Sequence, residues 1–88
     1  MSTIIFLGVE LEIYSTRALS DGYGHKKITV DLYFCGEYRK FTATTSNMPD
    51  FDEATELEGS DKDKALFSII SGQIEDEVNE WILEIENR

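Results

Sequence analysis

The sequence predicts a two-layer α+β domain of order β-β-β-α, a three-stranded antiparallel meander packed against one long C-terminal helix. Three observations predict it. Apolar and polar residues alternate in steps of two through the first half of the chain. In the last third they recur in steps of three and four. Between the two regimes lie the only proline, Pro49, and a run of carboxylates. With 88 residues there is one domain and one core. Residues 1–46 are assigned to the sheet, 47–60 to an acidic connector and 61–87 to an amphipathic helix.

The first strand is expected over residues 3–16. Its odd positions, Ile5, Leu7, Val9, Leu11 and Ile13, form an apolar face opposite Glu10, Glu12 and Tyr14. "SDGYGH" then supplies the glycines and the aspartate of a reversal. In "KKITVDLYF", Ile28, Val30, Leu32 and Phe34 alternate with Lys27, Thr29, Asp31 and Tyr33, in the β-branched and aromatic composition of a half-buried strand. "CGE" predicts a tight turn at Gly36, and "YRKFTATTS" a third strand with Phe41 and Ala43 facing inward.

Pro49 ends the β part, because the residue before a proline is held away from helical geometry. The connector has few apolar anchors, Met48, Phe51 and Leu57. It is read as ordered loop, with one helical turn near Phe51 or a short strand near Glu56 as the local options. Ser60, followed by Asp61 and Asp63, predicts a helix start: a capping hydroxyl, then carboxylates at the positive end of the helix dipole. Leu66, Phe67, Ile70, Ile74, Val78, Trp81 and Ile85 make one stripe, long enough for a helix of roughly 25 residues that crosses the sheet. Gly72 is its weak point.

The charge is uneven. The formal net charge of −10 comes entirely from residues 49–88, which hold thirteen acids and three bases, whereas residues 1–48 hold five of each. Apolar and aromatic content, 41% and 11%, is too high for a disordered acidic chain, so the charge is carried by a folded surface. The apolar run "TIIFLGV" is short and meets Glu10 and Glu12, which predicts neither a signal peptide nor a membrane span. With a single cysteine, Cys35, the expected setting is the reducing cytoplasm, that of the host cell if the chain is phage-encoded.

Little in the sequence points to catalysis. His25, the only histidine, falls in a hairpin loop beside Lys26 and Lys27, the setting of a solvated turn residue, and Cys35 falls at the next turn. Calcium-loop spacing fails from Asp50, whose fifth position is Ala54, and from Asp61, whose fifth is Ala65. Asp61 with Asp63 is the better candidate for loose cation binding. No phosphate-binding glycine loop occurs. Lys26, Lys27, Arg39 and Lys40 are the one candidate basic patch, too small in so acidic a chain for direct nucleic-acid binding. The expectation is a non-enzymatic protein without cofactor or metal.

Two surfaces are left as candidates for partner binding. Glu77, Glu80 and Glu84 line one flank of the predicted helix, uncompensated by Lys or Arg, and Glu75 and Glu86 line the other. Asp50, Asp52, Glu53, Glu56, Glu58, Asp61 and Asp63 extend the acidic surface. Acids one or two helical turns apart are ~5–10 Å apart, comparable with successive phosphates along a nucleic-acid strand. The second surface is the outer sheet face with Tyr14, Tyr33 and Tyr38. Ile69 and Leu83 oppose the main stripe, to be covered by Phe51 or Leu57 or by a dimer contact.

In size and charge the chain resembles the small acidic inhibitors encoded by phages and mobile elements, including anti-restriction and anti-CRISPR proteins; no motif carries the resemblance. The acidic surface leads to the expectation of a monomer or weak homodimer that blocks the basic groove of a nucleic-acid-binding enzyme or effector complex. The alternatives are an immunity or antitoxin protein neutralising a basic toxin, a metal-dependent subunit or enzyme, and a host adaptor whose charge is only solubilising.

Overall fold

A computed structural model describes residues 2–20, 25–45 and 48–88. The class is α+β, with four strands where three are expected. β1 (Ser2–Phe6), β2 (Val9–Ser20), β3 (Lys26–Phe34) and β4 (Glu37–Thr45) form one antiparallel sheet in the order β1-β2-β3-β4. Two helices follow, α1 (Met48–Thr55) and α2 (Gly59–Glu86).

The extra strand comes from a turn inside the expected first strand. Phe6 pairs with Val9, so Leu7 and Gly8 form a two-residue hairpin loop. Both have positive φ, 56° and 80°. Two successive left-handed residues are the signature of the turn whose twist matches that of antiparallel strands. Cys35 and Gly36, at 50° and 87°, repeat the device between β3 and β4, where Phe34 pairs with Glu37. The turn at Leu7 and Gly8 inverts the expected face of β1. Ile4 and Phe6 pack against the core, and Ile5, expected inside, is 71% exposed on the outer face.

A second irregularity lies in β2. Ile13 pairs with Leu32 but Ser15 with Asp31, so Tyr14 is an extra, bulged residue. Inward positions change from odd, Leu11 and Ile13, to even, Thr16 and Ala18. β3 and β4 follow the predicted alternation, with Ile28, Val30, Leu32 and Phe41 buried. The "SDGYGH" reversal joins β2 to β3; its residues 21–24 lie outside the described residues.

α2 lies across the inner face of the sheet. Leu66, Phe67, Ile70, Ile74, Val78 and Trp81 are buried as the stripe predicts, joined by Ile82, which the stripe omitted; Ile85 is half-buried. Burying each such side chain stabilises the fold by about 1.5–3 kcal/mol. Phe67 meets Phe6 edge-on at 5.0 Å between ring centroids, and Trp81 packs on Phe41 at 5.7 Å and Phe34 at 6.2 Å. Those contacts lock α2 to β1 at one end and to β3 and β4 at the other. With 28 residues, α2 is ~42 Å long. The longest extent of the molecule is 42 Å, so the helix sets its length.

The start of α2 differs from expectation. Ser60 is inside the helix, whose first residue is Gly59. Glu58 holds the N-cap position and makes no side-chain cap hydrogen bond. Gly59, at φ +60°, turns the chain from the extended Glu58 into the helix. The connector is likewise more regular than expected, since α1 occupies eight of its residues. Pro49 falls in the first turn of α1, where its missing N–H costs nothing. Phe51 and Ala54 of α1 are buried against α2 and the sheet.

Two substitutions test this backbone. Cys35 is exposed in a conformation that costs an ordinary residue about 1–2 kcal/mol and that asparagine tolerates. Cys35→Asn is expected to raise the unfolding free energy by about 0.5–1 kcal/mol in urea titration. Gly72 is exposed within α2, with nothing within 4 Å of an added Cβ. Gly72→Ala is expected to add about 1 kcal/mol in the same measurement.

Candidate functional site

The carboxylates of the second half of the chain all belong to the helical layer. Asp50, Asp52 and Glu53 lie on α1, Glu56 and Glu58 in the link, Asp61 and Asp63 at the start of α2, and Glu77, Glu80 and Glu84 in its last three turns. All of these are exposed except Asp63, which is partly buried. They form two groups rather than one. Asp61 and Glu80, nineteen positions apart, are separated by ~28 Å of helix.

Two contacts orient the flank of Glu77, Glu80 and Glu84. Gln73 Nε2 on the same flank donates to the Thr44 carbonyl oxygen of β4 at 2.9 Å. At the other end of α2 the Arg88 guanidinium forms an ion pair with Glu37 at the start of β4. α2 therefore runs antiparallel to β4, and the acidic flank borders that edge of the sheet. The last turn of α2 holds no basic residue.

Asp63 has a different role from its neighbours. Its Oδ1 accepts from Thr16 Oγ1 at 2.8 Å and its Oδ2 from Ser2 Oγ at 3.2 Å, tying the start of α2 to β2 and β1. Ser2 is buried there. The pairing of Asp61 with Asp63 does not occur, since residues two apart project from different sides of a helix. Asp61 stays exposed while Asp63 turns to the sheet. Among the described residues no group of three or more His, Cys, Asp or Glu is placed to hold a metal ion.

Between α1 and α2 runs an open groove of about 450 Å³. Ala54, Leu57, Ala65 and Ile69 supply its apolar surface, and Asp50 and Glu53 its acidic rim. Ile69 is partly buried against the core, whereas Leu57 and Leu83 are exposed. The expected cover over Ile69 and Leu83 is thus partial: Phe51 is drawn into the core and Leu57 borders the groove.

The basic patch does not assemble. Lys26 Nζ donates to Ser20 Oγ at 2.9 Å and lies over the Phe51 ring at 5.1 Å. Lys27 and Lys40 share the outer sheet face but sit four residue pairs apart in the β3–β4 register, ~13 Å. Arg39 projects to the other face. His25 and Cys35 flank opposite ends of β3, ~30 Å apart, too far for a base and a thiol to act together.

Tyr14 and Tyr33 do come together, with Tyr38 between them. Tyr14 meets Tyr38 edge-on at 5.1 Å, and Tyr33 meets Tyr38 at 4.9 Å. The bulge in β2 makes this possible by turning Tyr14 and Ser15 outward in succession. Ile5 on the same face was missed because the alternation was followed through the turn; Gly8 was the available signal. Nearby, Asp31 Oδ1 is buried with no hydrogen-bond partner among the described residues, beside a small hollow of about 190 Å³ lined by Arg17 and Lys40.

Compared with known proteins, the chain matches no family model, no curated protein and no solved structure at a significant level. No helix is long and apolar enough to cross a membrane among the described residues.

Removing Asp63 strands two hydroxyls, whereas removing Asp61 strands nothing. Asp63→Ala is expected to lower the unfolding free energy by about 1–3 kcal/mol and Asp61→Ala by less than about 0.5 kcal/mol, compared in urea titration.

Proposed function

We propose that the protein is a non-enzymatic inhibitor that binds another protein, with its acidic helical layer docked into the basic groove of a nucleic-acid-binding enzyme. In this reading it belongs with the phage and mobile-element inhibitors of restriction or CRISPR effectors. The observation that carries the proposal is the segregation of charge: thirteen of the eighteen acids lie on the helical layer, with Lys62, Lys64 and Arg88 as the only bases there. Glu77, Glu80 and Glu84, at steps of three and four, present carboxylates at phosphate-like intervals on a rigid helix. Asp50, Asp52, Glu53, Glu56, Glu58 and Asp61 extend the acidic surface around the α1–α2 groove.

The groove adds what charge alone lacks. Its apolar floor under an acidic rim suits a side chain with an aliphatic stem and a cationic end, such as Lys or Arg, so a basic partner gains an anchor as well as attraction. Asp63 contributes by holding the start of α2 in place rather than by touching a partner. Long-range attraction makes association fast and strongly dependent on salt.

The test is binding of the purified chain to a panel of purified restriction and CRISPR effectors, with duplex DNA as competitor. Expected is capture of at least one effector, competition by DNA, and an association rate that falls about tenfold or more from low to physiological salt. The Glu77/Glu80/Glu84→Lys variant is expected to lose that binding. A partner that survives the charge reversal, or that binds regardless of DNA, removes the acidic layer as the docking surface.

A further inference from the structure

We infer that the outer face of the sheet is a self-association surface, and that its occupant is a second copy of this chain in a weak two-fold dimer. This goes beyond the proposed function and does not rest on it.

Both helices cover the inner face of the sheet. On the outer face Ile5, Leu19, Tyr14 and Tyr38 remain exposed, the last two at 51% and 56%. The tyrosines are fixed against one another by ring contacts at 5.1 and 4.9 Å, so little side-chain freedom is left to lose on docking. Rigid aromatic side chains of this kind are enriched at protein interfaces.

Charge selects the occupant. By strand register the outer face carries Glu10, Glu12 and Asp31 against Arg17, Lys27 and Lys40, and is neutral. The net −10 lies on the opposite layer, so contact between two helical layers brings like charges together, whereas contact between two sheet faces does not. With sheets ~10 Å apart and a helical layer ~10 Å behind each, the two acidic layers are roughly 30 Å apart, about three Debye lengths at 0.1 M salt.

The face is also complementary to itself. Glu10 and Glu12 lie on β2 toward the β1–β2 turn, whereas Arg17 on β2 and Lys27 on the adjoining β3 lie toward the opposite end of the sheet. A two-fold axis between the sheets, perpendicular to the strands, places the acids of each copy over the bases of the other, as a symmetric interface requires. The area sets the strength. Strands ~4.8 Å apart and up to ~30 Å long give a footprint of roughly 500 Å², below the ~800 Å² that each partner contributes to a standard interface. The dimer is therefore weak, with dissociation in the micromolar range or above.

The experiment is analytical ultracentrifugation of the full chain, native and variant, up to about 1 mM, with circular dichroism to confirm folding. The native chain is expected to show a monomer–dimer equilibrium. Tyr14→Ser with Tyr38→Ser is expected to weaken it about tenfold or more. Glu12→Arg alone weakens it, and Glu12→Arg with Arg17→Glu restores it, because each charge then meets its opposite again across the two-fold axis. A native chain that stays monomeric throughout overturns the proposal. So does a dimer indifferent to the sheet-face variants, or one that only the Glu77/Glu80/Glu84→Lys variant disrupts.

Discussion

The structure depends on one act of burial, the apolar stripe of α2 laid along the single apolar face of the sheet. Neither half is stable alone, since a sheet with one wet face and an isolated helix each leave their apolar surface in water. Leu11, Ile13, Ile28, Val30 and Leu32 supply the sheet side, and Ile70, Ile74, Val78 and Trp81 the helix side. Because the helix runs the length of the molecule, the same burial sets the dimensions of every other surface. α1 fills the space left beside the first half of α2, anchored by Phe51 and Ala54. Asp63 fixes the position of α2 on the sheet through Ser2 and Thr16.

That arrangement turns an asymmetry along the chain into an asymmetry in space. All four strands come from the first half of the sequence and both helices from the second. Strands that alternated with helices would have distributed the thirteen acids of residues 49–88 over both faces of a sheet. Here they are confined to one layer, and the opposite face is left neutral and aromatic. The two faces thereby differ in both charge and composition.

Patterns of burial were legible in the sequence where a single periodicity ran uninterrupted. β3, β4 and most of α2 lie where their alternation and stripe place them. The departures occur where backbone geometry, rather than hydropathy, decides. Leu7 continues the odd-position apolar pattern, yet it and Gly8 both adopt positive φ, and the chain reverses at a leucine that hydropathy reads as core. The bulge at Tyr14 changes the parity of β2, which no residue type announces. Ile82 is buried because the contact band on α2 is wider than the stripe drawn from its centre. At the site, the acids were visible as charge. That Asp63 belongs to the core connection was not, because Ser2 and Thr16 are 61 and 47 residues distant in sequence.

The fold tolerates the acids on α2 but does not need them. Glu77 with Glu80, Asp76 with Glu80 and Glu80 with Glu84 are like-charged pairs at spacings of three or four residues, each costing about 0.2–0.5 kcal/mol. Glu84 and Glu86 add a further few tenths each by lying at the negative end of the helix dipole, where no basic residue offsets them. The exposed ion pair of Arg88 with Glu37 returns no more than about 1 kcal/mol. Against this, Ile74, Val78, Trp81 and Ile82 in the same turns contribute about 1.5–3 kcal/mol apiece by burial. Burial wins by several-fold, so the helix forms in spite of its charge pattern. Stability therefore gives no reason for the acids at these positions, and the basic partner surface proposed above would supply one.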